Sequence, residues 1–274
     1  VDSSATGRGQ GFAVVGVNGL RAMDLLNEVL TTRETLSAST TTQNVAFTTP
    51  QLFLGNSALN TLTFGVGGSF AKAASALDSG ALTVNAGGIL ALADSALGAA
   101  RVGTGSASVP LWVAVPNAGT TLAMDGGVLT IGGMVKSGAG TLSMNRASYL
   151  TGGSGLVIND GILRLNGGAN TLTPSVGISM PVGTDVRLNG GTLDLNGSDQ
   201  LIGSLQSVGT LRGMGGNVIS ASAAELTVAS AGSTTFAGSL GGSLSLTKVG
   251  SGGLALAGES AMTGMVRVLG GTLS

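Results

Sequence analysis

Lys136-Ser137-Gly138-Ala139-Gly140-Thr141-Leu142-Ser143-Met144, continuing to Gly161-Ile162-Leu163-Arg164-Leu165, is the stretch whose reading decides the fold. It returns near the end of the chain as Lys248-Val249-Gly250-Ser251-Gly252-Gly253-Leu254-Ala255-Leu256. The tails correspond too: Tyr149-Leu150-Thr151-Gly152 with Ala261-Met262-Thr263-Gly264, and Asp160-Gly161-Ile162-Leu163 with Gly270-Gly271-Thr272-Leu273. Lys136 and Lys248 stand 112 residues apart and Gly161 and Gly271 110 apart, so the copies differ by a two-residue insertion. Internal repetition means like units stacked on one another, and the period is therefore read before any single segment.

Outward from this stretch the unit is a short alternating strand, a Gly-rich corner, and another short strand. Gly87-Gly88-Ile89-Leu90-Ala91-Leu92, Gly126-Gly127-Val128-Leu129-Thr130-Ile131 and Gly190-Gly191-Thr192-Leu193-Asp194-Leu195 are further copies. Between Asp185 and Leu195, Val186 and Leu188 face one way with Arg187 opposed. Asn189-Gly190-Gly191 then turns, and Leu193 and Leu195 face in with Thr192 and Asp194 out. Period two with one apolar face is a half-buried strand. The Gly pairs, Gly126-Gly127 and Gly190-Gly191 among them, are expected to supply positive φ, which costs glycine nothing sterically. Asn-Gly between alternating segments is also a hairpin signal, so an antiparallel sandwich or barrel competes. A parallel β-helix is favoured by corners recurring at irregular intervals of 30–39 residues and by a core of Leu, Val, Ile and Ala. It is favoured as well by Asn85, Asn159, Asn166, Asn189 and Asn196 near corners, where stacked coils of roughly 20 residues would ladder their amides.

Composition narrows the class. Gly accounts for 49 of 274 residues, against a usual ~7%, with only 5 Pro and no collagen period. An apolar share of 43% and mean hydropathy of +0.46 argue against disorder. Only 9% of residues are charged, 12 basic against 13 acidic, which gives no field for steering toward nucleic acid. Aromatic residues at 3% leave little to stack bases on. No apolar run approaches the ~20 residues of a membrane-spanning helix, so no membrane insertion by this segment is expected.

Residues 1–34 differ from the rest. Phe12, Val14, Val15 and Val17 read as extended; Leu20, Met23, Leu26 and Leu30, with Asp24 and Glu28 between, fit a short amphipathic helix. A cap over the solenoid's open edge and a linker from a preceding domain are both open readings. The expected organisation is 1–34 as cap or linker and 35–274 as β-helix, continuing in a longer parent beyond Gly271-Thr272-Leu273-Ser274, whose edge lacks the Lys, Pro or bulge that blocks pairing.

Lys-x-Gly-x-Gly-x-Leu-x-Leu/Met, then Tyr-x-Thr-Gly or its equivalent, then Gly-Gly-Thr-Leu, resembles the autotransporter-associated β-strand repeat of bacterial surface proteins. Lys136–Leu165 carries one full copy and Lys248–Ser274 a second that lacks its end, with looser matches from about Asn60 to Leu246. The second copy departs in having Met262 where the first has Leu150, no Tyr nearby, and a shorter corner before Gly270. The resemblance implies a right-handed parallel β-helix, secreted and displayed on the bacterial cell surface. It brings over no catalytic residues.

For chemistry, the chain has no His and no Cys, which removes Ser-His-Asp triads, thiolate catalysis and zinc ribbons. There is no Gly-Lys pair for a phosphate-binding loop and no calcium-loop motif. Gly250-Ser251-Gly252-Gly253-Leu254-Ala255 matches a loose dinucleotide fingerprint, but its setting is a corner between short strands rather than a strand-to-helix turn. No cofactor and no metal are expected. The best catalytic candidates are Asp185, Arg187, Asp194 and Asp199, since β-helix lyases and hydrolases use carboxylates and an Arg on one exposed face; the competing reading is a solvating set of charges, which is preferred. Trp112, Tyr149, Phe47, Phe53 and Phe64 read as core or coil-end packing rather than a sugar platform. Lys136 and Lys248 recur at one repeat position, which argues for a shared structural task such as reaching over the corner carbonyls. The expectation is therefore a non-enzymatic stalk or adhesive segment of an extracellular surface protein. A host, glycan or matrix surface and end-to-end self-association are the partners in view. A self-assembling surface filament or layer subunit and a glycan-active enzyme are the alternatives.

Overall fold

The computed structural model describes residues 13–16, 19–22, 29–30, 43–53, 55–72, 80–99, 101–150, 152, 155–172, 175–176 and 181–274. These residues are strands, corners and loops with no helix, and the strands stack in parallel as a β-solenoid of about nine turns. The repeat stretch shows the plan. Gly127–Thr130, Met134–Ser137 and Thr141–Met144 make one turn, and Tyr149–Leu150, Leu156–Ile158 and Ile162–Leu165 lie in register on the next. Asn189-Gly190 forms a corner between parallel strands rather than a hairpin.

Alternation sends every second side chain inward, and parallel registration stacks those side chains into columns. Phe70, Leu97, Met124, Met144 and Leu165 form one column, and Ile89, Val113, Ile158 and Leu188 belong to another, all essentially without exposed surface. Each such burial contributes on the order of 1.5–3 kcal/mol. Phe47, Phe64 and Phe70 pack together, Phe47 standing 6.4 Å from Phe64 and 5.1 Å from Phe70 between ring centroids. The packing role read for Phe47 and Phe64 holds; the side chain of Phe53 lies outside the described residues. Trp112 and Tyr149 depart from that reading: Trp112 takes an outward position of Leu111–Ala114 and is half exposed, and Tyr149 is partly exposed on Tyr149–Leu150.

The coils are less uniform than roughly 20 residues. Thr121 meets Thr141 twenty residues on, but Phe47 meets Phe64 after seventeen, and Ile158 meets Leu188 only after thirty. The long turn includes a short antiparallel pair, Ser175–Val176 with Pro181–Val182. These differences rotate the repeat. The Ile162–Leu165 strand of the first copy continues upward in the column Leu163–Leu193–Val218–Leu240–Ser260. Its last member belongs to Ser260–Met262, the counterpart of Tyr149–Leu150 and not of Ile162–Leu165. The two copies match in sequence yet sit one face apart around the solenoid.

The corners correct one expectation. Positive φ falls on the second glycine at Gly191 (67°), and neither Gly190 nor the Gly126-Gly127 pair adopts it. Gly190 and Gly127 are glycine for space instead: a Cβ there would come within 2.6 Å of the Asn159 and Ala147 carbonyl oxygens of the neighbouring turn. Asn196 (φ 51°) and Asn170 (φ 52°) are the non-glycine residues in the left-handed region among those described, in keeping with the tolerance of Asn for it.

A helix from Leu20 to Leu30 is also overturned where residues are described. Gly19–Ala22 is a strand paired antiparallel with Ala13–Gly16, and Val29–Leu30 pairs in parallel with Asn44–Val45; Met23, Asp24, Leu26 and Glu28 lie outside the described residues. Helix propensity is a weak term for so short a segment, and the strand edges available here satisfy the backbone instead.

Candidate functional site

The four charged candidates do not converge. Asp185 and Arg187 stand outward on Thr184–Leu188, as their alternation requires. Asp194 does not join them. The register sets it beside Arg164 of the preceding turn, and Arg164 Nε donates to its Oδ2 at 2.9 Å. Its Oδ1 accepts the Asn196 N–H at 2.9 Å, and the pair leaves Asp194 only 8% exposed. Asp199 Oδ1 accepts the Glu225 N–H of a neighbouring strand at 2.7 Å. Among the described residues no three acidic side chains gather where a metal could be held.

The role of Asp199 recurs along the solenoid. Asn56 accepts the Ala81 N–H, Asp94 the Thr121 N–H and Asn170 the Leu201 N–H, each at 2.7–2.9 Å. In every case a short polar side chain reaches a backbone donor of a strand one turn further along. Amide ladders do similar work at the corners. Asn196 donates to Asn166 (2.8 Å), Asn166 to Asn145 (3.1 Å) and Asn145 to Asp125 (2.6 Å). Asn189 donates to Asn159 (2.8 Å), and Asn159 to Ser137 Oγ (3.3 Å). The expected laddering is thus present at Asn159, Asn166, Asn189 and Asn196. Asn85 lies on the strand Ala81–Ala91, two residues before its bend at Gly87.

Lys136 and Lys248 are the feature the sequence undersold. Both have no exposed surface. Lys136 Nζ donates to the carbonyl oxygens of Ser137 (3.1 Å), Gly138 (2.6 Å) and Asp160 (3.0 Å), binding its own corner to the one above. Lys248 Nζ donates to Val249 O (2.5 Å) and Gly250 O (3.3 Å), the equivalent corner. Burial disfavours the charged form, and the Lys136 ammonium is lowered to about 8, partly offset by the Asp160 carboxylate; burial lowers Lys248 as well. Both cations are turned inward to corner carbonyls, so the shared task is structural, and they are enclosed instead of reaching out to water.

A groove of about 540 Å³ runs past Asp185, Ser204, Gln206, Ser230, Thr234 and Ser251. The hydroxyls of Ser230 and Thr234 are buried without a hydrogen-bond partner. Among the described residues Asp185 is the one carboxylate lining this groove. Comparison with protein-family models, with curated proteins and with solved structures finds no match to the chain.

Proposed function

We propose that this chain is a non-enzymatic structural or adhesive segment of an extracellular bacterial surface protein, a β-helical stalk whose side faces serve as contact surfaces. The observation that supports this reading most directly is the engagement of the polar side chains between turns. Asp194 is bound to Arg164 and Asp199 to a strand N–H, and the amides form ladders, all of which stiffen a rod. The autotransporter-associated repeat that the sequence resembles is a unit of the same kind, and it supplies the localisation in the proposal. Incubating the purified chain with polygalacturonate, chitin and xylan, with reducing ends and unsaturated uronate absorbance as readouts, should give no product above background. Turnover that is lost in an Asp185→Asn, Arg187→Ala variant would overturn the proposal in favour of a glycan-active enzyme.

End-to-end association is the second reading, because a net charge of −1 supplies almost no repulsion between copies.

A further inference from the structure

We infer that a second groove binds the acidic group of an anionic saccharide between Arg101 and Arg146, with the sugar ring resting on Tyr149 and Leu129. The groove, about 490 Å³, is lined by Arg101, Gly127, Leu129, Arg146, Ala147 and Tyr149. That volume falls within the range of small-ligand sites, ~300–1,000 Å³. It is built by stacking. Arg101 is in register with Gly127 one turn on, and Gly127 in turn lies against the Ala147 carbonyl of the turn after. Arg101 and Arg146 therefore project from backbones about 10 Å apart, two strand spacings of ~4.8 Å, with a residue lacking any side chain between them. That gap is what makes a recess in an otherwise close-packed surface.

Its chemistry is one-sided. Among the described residues no carboxylate lines the groove and neither Arg101 nor Arg146 is in an ion pair; the ion pairs there are Arg164–Asp194, Arg212–Glu259 and Arg267–Glu225. Two guanidiniums sharing a recess repel, and an anion placed between them relieves the repulsion while accepting planar, bidentate hydrogen bonds. In a chain with only 12 basic residues, this concentration of positive charge without an acid stands apart.

The remaining wall gives the rest of the ligand. Leu129 is in register with Tyr149, and Leu129 is 43% exposed. Tyr149, the chain's one tyrosine, is partly exposed beside it. Together they form a small apolar and aromatic shelf with a phenol at its rim, suited to the C–H face of a pyranose ring with its hydroxyls turned outward. Nucleic acid fits less well, because two phosphate contacts and one aromatic face give little affinity at physiological salt.

This inference deepens the contact-surface reading by naming a ligand class, and its failure would leave the rod reading, which turnover tests, untouched. The experiment is calorimetric titration of the full chain at low salt with a tetragalacturonate, a sulfated disaccharide, maltotetraose, sodium sulfate and a thymidine decanucleotide. An acidic saccharide should bind, the uronate and sulfate arms deciding which acid is preferred, and raising the salt to 0.5 M should weaken it. Arg101→Gln and Arg146→Gln should each lower the affinity at least tenfold with unchanged thermal melts. Tyr149→Ala should weaken the saccharide severalfold and leave sulfate unchanged. Arg101→Lys and Arg146→Lys serve as a milder pair should a glutamine variant melt early, and should show an intermediate loss. Equal binding of maltotetraose, saccharide affinity no better than sulfate, tighter binding of the decanucleotide, or indifference to both arginines would each overturn the assignment.

Discussion

A lysine with no exposed surface has to find its acceptors within the fold, and Lys136 finds three, all backbone carbonyls at two successive corners. Replacing it by Met keeps the stem and removes the donors. Hydrogen bonds to a charged donor are worth ~1.5–3 kcal/mol each, but corner carbonyls regain water when freed, so Lys136→Met is expected to cost about 2–3 kcal/mol at pH 7. The pH dependence has a definite sign. The ammonium titrates at about 8 in the fold and at the ordinary 10.5 when unfolded. Between those values the unfolded chain binds the extra proton, so stability rises with pH across that window. Urea melts at pH 7 and pH 10 should show the wild type gaining on Lys136→Met as pH rises. A difference that is constant or narrows would mean that the ammonium is not held in the way described.

At the scale of the element, a turn of this solenoid is short strands joined by corners with two separate demands. One is backbone conformation, met by Gly191, Gly161, Gly87 and Gly271 at φ of 67–74°. The other is clearance from the turn alongside, met by Gly190 and Gly127. At Gly191 the demands coincide, since a Cβ there would also come within 2.6 Å of the Gly161 carbonyl oxygen. Gly191→Val should therefore cost well over ~1 kcal/mol, a β-branched residue being strained at positive φ even without the clash. Thermal melts beside Thr192→Ser, a partly exposed neighbour, would measure it. Melting temperatures within a degree of each other would rule out the corner as described. The Asn ladders belong to this scale as well: Asn145, Asn166 and Asn196 lie 21 and 30 residues apart, and only their common place after a strand brings the amides together.

Over the whole molecule, pairing in one direction stacks the described turns into a rod, and a net charge of −1 supplies almost no repulsion between copies. The end-to-end association proposed as the second reading would be a head-to-tail contact, which need not close into a ring. Sedimentation velocity over a concentration series should then show growing species, and a chain that stays monomeric at high concentration would refute that reading.

The amino-acid sequence by itself determined which residues face in and which face out, and it favoured the parallel solenoid over an antiparallel sandwich or barrel. Period-two alternation assigned Val186, Leu188, Leu193 and Leu195 to the interior and Asp185 and Arg187 to the surface, and repeated Gly corners implied stacking; these are local properties, carried by neighbouring residues. Only the tertiary structure decided what meets what between turns. Asp194, outward by alternation, is covered because a thirty-residue turn sets it beside Arg164, and Arg101 shares a groove with Arg146 because two turns of unequal length end in the same place. The same inequality rotates the second repeat by one face. Contact across turns depends on the summed length of every corner and excursion between two residues, and a short motif carries no record of that sum.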